Sequence, residues 1–164
     1  MMQIGSYDYD NLIESYLVQD KQRAKTAGNR LWYEGNLLYS YNTILSILHT
    51  HKDKKVLLIN KSLVKYSQTT TRHMNILIEK SKYPTFIVKF SRDDVEKLHS
   101  LIDTANDTFE KMKRARSRKS IYAKQFIQEV DKAIDFAELF EIKNKNALDE
   151  MAPKFFIALA YMED

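Results

Sequence analysis

Between Lys111 and Lys119 the chain carries Lys111, Lys113, Arg114, Arg116, Arg118 and Lys119 with no acid among them. Such a block can neutralise several phosphates at once, and guanidinium groups fork onto phosphate or carboxylate oxygens. Its chemistry is ionic recognition of a polyanion: nucleic acid, or the acidic surface of a nucleoprotein. Opposite charge flanks it. Residues 93–110 hold six acids (Asp93, Asp94, Glu96, Asp103, Asp107 and Glu110) against Lys97, and residues 129–150 hold seven acids against three bases. The competing reading is therefore an internal charge lock between the block and its flanks.

A second set of residues is aromatic. Trp32, Tyr39, Tyr41 and Tyr66, with Tyr33 beside them, are interleaved with Lys61, Lys65 and Arg72. Aromatics on a sheet among bases stack nucleotides, but alternating aromatics also fill the core and rim of a small sheet. They are the secondary surface here. His73 follows Thr69 to Thr71, and hydroxyls beside an imidazole suit acid–base work, so a small metal-independent nuclease is the catalytic alternative. Capping accounts for the threonines without chemistry. His49 and His51 share one face of a strand, yet no helical metal motif accompanies them, and neither a metal nor a cofactor is expected. With three glycines and no cysteine, phosphate-cradling loops, thiol nucleophiles and Cys-ligated zinc drop out.

These side chains need elements to hold them. A helix is expected over 6–27, capped by Ser6 and stopped at Gly28-Asn29, with Tyr9, Leu12, Ile13, Tyr16 and Leu17 as its stripe. Leu31 to Tyr33 and Leu37 to Tyr41 read as a hairpin about Glu34-Gly35-Asn36. Ile44 to Thr50, Val56 to Asn60 and Thr85 to Phe90 read as further strands. A short helix over 69–82 is capped by Thr69 or Thr70 and buries Met74, Leu77 and Ile78. From Ser91 the period changes, with Ser91 to Asp94 resembling a capping box. Val95, Leu98, Ile102, Ala105, Phe109 and Met112 form a heptad seam, which resumes in phase at Ala123, Phe126, Val130, Ala133, Ala137 and Phe140. The two positions between are Arg116 and Lys119. The seam fits either one long helix, dimerising through it, or a helical hairpin turning near 113–120. Two charges in the seam tilt the reading to the hairpin. Pro153 opens a last helix, with Phe155, Phe156, Leu159 and Met162 on its apolar face.

The fold class is α+β: a small antiparallel sheet with covering helices over residues 1–90, then a helical module over 91–164. Met1 to Tyr9 carry no leader pattern, and no apolar stretch is long enough to span a membrane, so a cytoplasmic protein is expected.

Leu38-Tyr39-Ser40-Tyr41-Asn42-Thr43-Ile44 resembles a signature of small uncharacterised phage and mobile-element proteins, in which a LYSY-x-T-x-I hairpin segment precedes YS-x-TT-x-x-H. The second part stands here as Tyr66-Ser67-Gln68-Thr69-Thr70-Thr71-Arg72-His73. The likeness covers about residues 30–80. Members often have Gly at the position of Asn42, which as Asn can still turn left-handed, and Ala at that of Leu45. The resemblance implies a phage or mobile-element origin and an α+β core, and it brings no catalytic residues. The expected function is binding rather than catalysis, in the host cytoplasm, to nucleic acid or a complex that handles it. An anti-defence inhibitor such as an anti-CRISPR fits. A scaffold assembling through the seam is the structural alternative.

Overall fold

The computed structural model describes residues 6–162; Met1 to Gly5 at one end, and Glu163 and Asp164 at the other, lie outside them. The protein is α+β, a sheet in the N-terminal half and long helices after it. It divides into two compact units, one ending at Ile87 and the other beginning at Val88.

The first unit is a sheet in sequential strand order: β1 (Ser6–Tyr7), β2 (Arg23–Thr26), β3 (Leu31–Glu34), β4 (Leu37–Ser40), β5 (Thr43–His51), β6 (Lys54–Asn60) and β7 (Thr85–Val88). β1 pairs with β2 in parallel, and β2 to β6 form an antiparallel meander. Helix α1 (Tyr9–Val18) joins β1 to β2, and α2 (Gln68–Lys80) joins β6 to β7. The expected helix over 6–27 is shorter for local reasons. Asp8, not Ser6, caps it by accepting from the Asn11 N–H at 2.7 Å, and Gln19 adopts a left-handed φ of 57° that ends it. The residues beyond form β2, whose ladder with β3 supplies the hydrogen bonds a longer helix would have made. Likewise Ser67, rather than Thr69 or Thr70, caps α2. Its buried face is Thr70, His73, Met74 and Leu77, while Ile78 is exposed.

Tight two-residue turns join β3 to β4, β4 to β5 and β5 to β6. Gly35 takes a φ of 57° between β3 and β4, and Lys52 and Asp53 both take positive φ between β5 and β6, as two-residue hairpin turns require. Between β4 and β5 the left-handed residue is Tyr41 (φ 57°), not Asn42. Leu38 faces Ser46 but Tyr39 faces Ile44, so Leu45 is an extra residue in β5, a β-bulge. Leu45 and Ser46 are both fully buried. Leu12, Ile13, Tyr16, Leu31, Tyr33, Leu38, Leu57, Ile59 and Leu77 pack with Leu45 in the core of this unit. Ser46 and Tyr16 are matched inside it: Ser46 donates to the Tyr16 hydroxyl (3.0 Å), which donates to the Asn36 carbonyl (2.8 Å). Burial pushes the Tyr16 phenol up.

The second unit resolves the choice between long helix and hairpin. Helices α3 (Asp94–Arg114) and α4 (Lys119–Leu139) form an antiparallel hairpin, followed by α5 (Asn146–Asp149) and α6 (Ala152–Met162). Every seam residue from Leu98 to Met112 and from Ala123 to Phe140 is buried, Val95 being half-buried. The Phe109 and Phe126 rings meet at 5.2 Å. The lapse in the apolar period is where the chain reverses. Asp93 caps α3, accepting from the Val95 N–H. The expected apolar face of α6 is different: Ala158 is its fully buried residue, and Phe156 is 71% exposed. Lys154 on α6 donates to the Asn106 side chain of α3 at 2.7 Å.

Candidate functional site

Helix α3 closes with Lys111, Lys113 and Arg114 in its last turn, where cations suit the negative end of the helix dipole. Helix α4 opens the opposite way. Its first turn contains no acid, and its N-cap is Arg118, at a left-handed φ of 64° with no side-chain cap. Positive charge therefore stands at the positive end of a helix that also lacks the usual cap, an arrangement that costs stability. Folding at 115–118 lays the basic block on itself and brings the flanking acidic stretches alongside each other. The result is a hairpin with a positive tip and an acidic body.

The six tip cations have different surroundings. Lys119 is half-buried, donating to the carbonyls of Met112 (3.2 Å) and Lys113 (3.0 Å), with its ammonium 5.3 Å from the Tyr161 ring centre. It is occupied in tying the turn together. Lys113 pairs with Glu110 at 3.2 Å and lies over the Phe109 ring. Lys111 is exposed and near Glu129, a half-buried carboxyl on α4 raised mainly by burial. Arg114, Arg116 and Arg118 are exposed and have no ion pair among the described residues.

Trp32 and Tyr39 come together on the sheet, with Tyr41 in the turn that follows β4. Trp32 and Tyr39 are cross-strand partners whose rings stack in parallel, 3.9 Å apart and 3° from coplanar. The Trp32 indole N–H donates to the Tyr41 carbonyl at 2.6 Å. Because Tyr33 and Ser40 point to the covering helices, their neighbours Trp32 and Tyr39 point to the other face. Tyr66 stands apart, exposed in the turn before α2 and in no ring contact among the described residues. A cavity of about 550 Å³ lies beside Trp32, lined also by Arg23, Lys25, Glu34, Asn29 and Asn42. Arg23 and Lys25 escape a sequence reading because the residue pattern places them in the first helix; only β2 turns them toward the aromatic row.

The two segments of the signature meet inside the first unit. The Ser40 hydroxyl lies 3.0 Å from the Thr70 hydroxyl and 2.9 Å from Nδ1 of His73. His73 is fully enclosed, with the Tyr9 ring edge-on at 4.3 Å and the Arg72 guanidinium over Tyr9. Burial, with Arg72 adding to it, pushes its pKa down to about 4, so the imidazole is neutral at physiological pH. His49 and His51 stack at 6.2 Å. Among the described residues no group of three or more His, Cys, Asp or Glu is arranged to hold a metal ion.

Fold and site together define an α+β protein that pairs a helix-backed sheet with a cation-tipped helical hairpin. The chain belongs to a family of unknown function, DUF8033, whose model matches residues 5–96, more than half of its 164 residues. The matched span ends in the first turn of α3, so the hairpin tip lies beyond it. No curated protein and no solved structure matches the chain. Among the described residues no helix is long and apolar enough to cross a membrane.

Proposed function

We propose that this protein acts by binding, and that the tip of the α3–α4 hairpin engages the phosphate backbone of a nucleic acid. The observation that carries this reading is the state of Arg114, Arg116 and Arg118: three exposed guanidinium groups without an acidic partner among the described residues, Arg118 standing at a helix start that violates capping and dipole preferences. Local rules broken without local compensation are characteristic of functional sites. The charge-lock alternative accounts for Lys113 on Glu110 and for Lys111 near Glu129, but not for the three arginines, which have no ion pair among the described residues. A nuclease centred on His73 is disfavoured because a general base must come within reach of its substrate, and His73 is enclosed.

A phage or mobile-element origin is supported by the resemblance of Leu38–Ile44 and Tyr66–His73. With it goes an anti-defence role in the host cytoplasm, such as inhibition of a CRISPR complex through its nucleic acid. Replacing Arg114, Arg116 and Arg118 together by Gln tests the binding. Affinity for labelled DNA and RNA, measured by anisotropy across a salt series, should fall, and the slope of log K against log salt should flatten by about 2–3 for duplex. The melting temperature should hold. Equal affinity and equal slope in the parent and the variant would refute the reading, and an acidic protein surface would then be the partner to seek.

A further inference from the structure

We propose that the cleft beside Trp32 is a stacking site for an unpaired nucleobase, so that the ligand class is single-stranded nucleic acid. This rests on the reading that the protein binds nucleic acid, and it adds a site on a different unit.

The register aligns Lys25, Trp32 and Tyr39 in one row across β2, β3 and β4. Tyr39 covers one face of the indole in a parallel stack, and the Tyr41 carbonyl takes its N–H. The ring plane is thus fixed from two sides, and the hydrogen-bonding need of the indole is met within the protein. This half-buried side chain also lines the cleft. The volume of about 550 Å³ lies within the usual range of small-molecule sites. Its polar lining has the composition a nucleotide needs. Arg23 and Lys25, two residues apart on one strand, are exposed and have no ion pair among the described residues. Glu34 stands opposite Arg23 in the ladder without pairing with it. The amides of Asn29 and Asn42 offer both donors and acceptors to a base edge. A pre-stacked aromatic beside two cations is the arrangement by which sheets bind unpaired strands, the ring taking the base and the cations the phosphates. A duplex keeps its bases stacked inside and cannot use the ring.

Trp32 is the only tryptophan in the chain, so its emission reports this cleft alone. The full-length protein is titrated with fluorescein-labelled oligothymidylate of about 12 nucleotides and with a duplex of equal length, reading dye anisotropy and Trp32 emission in parallel. Oligothymidylate should quench Trp32 saturably, whereas the duplex should raise anisotropy with little quenching. The R23Q/K25Q variant should bind oligothymidylate about tenfold more weakly while binding the duplex almost as before. If oligothymidylate raises anisotropy but leaves Trp32 emission unchanged, or quenches R23Q/K25Q as it does the parent, the cleft proposal is overturned and the hairpin reading stands. If the R114Q/R116Q/R118Q variant retains full affinity while quenching persists, the hairpin reading fails and the cleft stands. No anisotropy change with either strand overturns both.

Discussion

Lowering the pH should destabilise the first unit through one residue, His73. In the folded protein its pKa is held down to about 4 by burial, against an ordinary value of 6.5. The unfolded chain therefore binds a proton that the folded chain refuses. The stability contributed by this difference is complete above pH 6.5, is lost as pH falls, and stops changing below the folded pKa. Two and a half units correspond to about 3 kcal/mol in full, of which about 2 kcal/mol should be gone by about pH 5, before most carboxylates titrate. Urea unfolding followed by Trp32 emission, at pH values from about 7.5 down to about 5, measures the loss. The His73→Gln variant is the control. It should start less stable, because the Ser40 hydroxyl loses its ring partner, but should lose about 2 kcal/mol less over the same interval. Parallel declines in parent and variant would refute the argument and show that His73 takes up its proton as readily in the folded protein as in the unfolded chain.

In the second unit, Phe109→Asp or Phe126→Asp should each destabilise the hairpin by at least about 3 kcal/mol, since each loses a buried ring and buries a charge; thermal melts by far-UV circular dichroism check this, and parent-like melting would show that the seam is not the core. Lys119→Met should cost about 1 kcal/mol by removing both donations to the end of α3, whereas Arg116→Gln should stay within about 0.5 kcal/mol of the parent. The same melts distinguish the two, and equal losses would contradict the division of the tip into a structural lysine and free arginines.

Much of this architecture is legible in the residues. Strands β3 to β6 show in runs of β-branched and aromatic residues between turn signals, and the heptad seam follows from periodicity, because burial on one face of a helix imposes alternating steps of three and four. Arg116 and Lys119 also mark the reversal correctly, as charges where packing wants apolar groups. Their roles then diverge, and no pattern in the sequence tells the half-buried Lys119, bonded to carbonyls, from the exposed Arg116. The N-terminal segment misleads because Arg23 to Thr26 continue a helical-looking stretch, and the ladder that captures them as β2 is a non-local pairing with β3. That one displacement also conceals the cations beside Trp32. Ser40, Thr70 and His73 stand out as parts of two motifs, but their convergence depends on laying α2 over β4, which no spacing within either motif encodes. Ile78 is exposed for a similar reason: His73 and Thr70, both polar, occupy the face that hydrophobicity alone would have given to it.

The bulge at Leu45 gives β5 an uneven tolerance to changes in chain length. Ser46 already faces Leu38, and Ile44 already faces Tyr39, so removing Leu45 would join two segments whose partners are adjacent on β4. The ladder would become regular, and every side chain from Ser46 to His51 would keep its face, at the expense of one buried leucine. Removing a residue two or three places later would instead exchange inside for outside along the rest of the strand. Length variation among natural relatives in this hairpin should accordingly concentrate at a single point, the place where an in-frame codon can be lost or gained while the two faces of the sheet keep their separate identities.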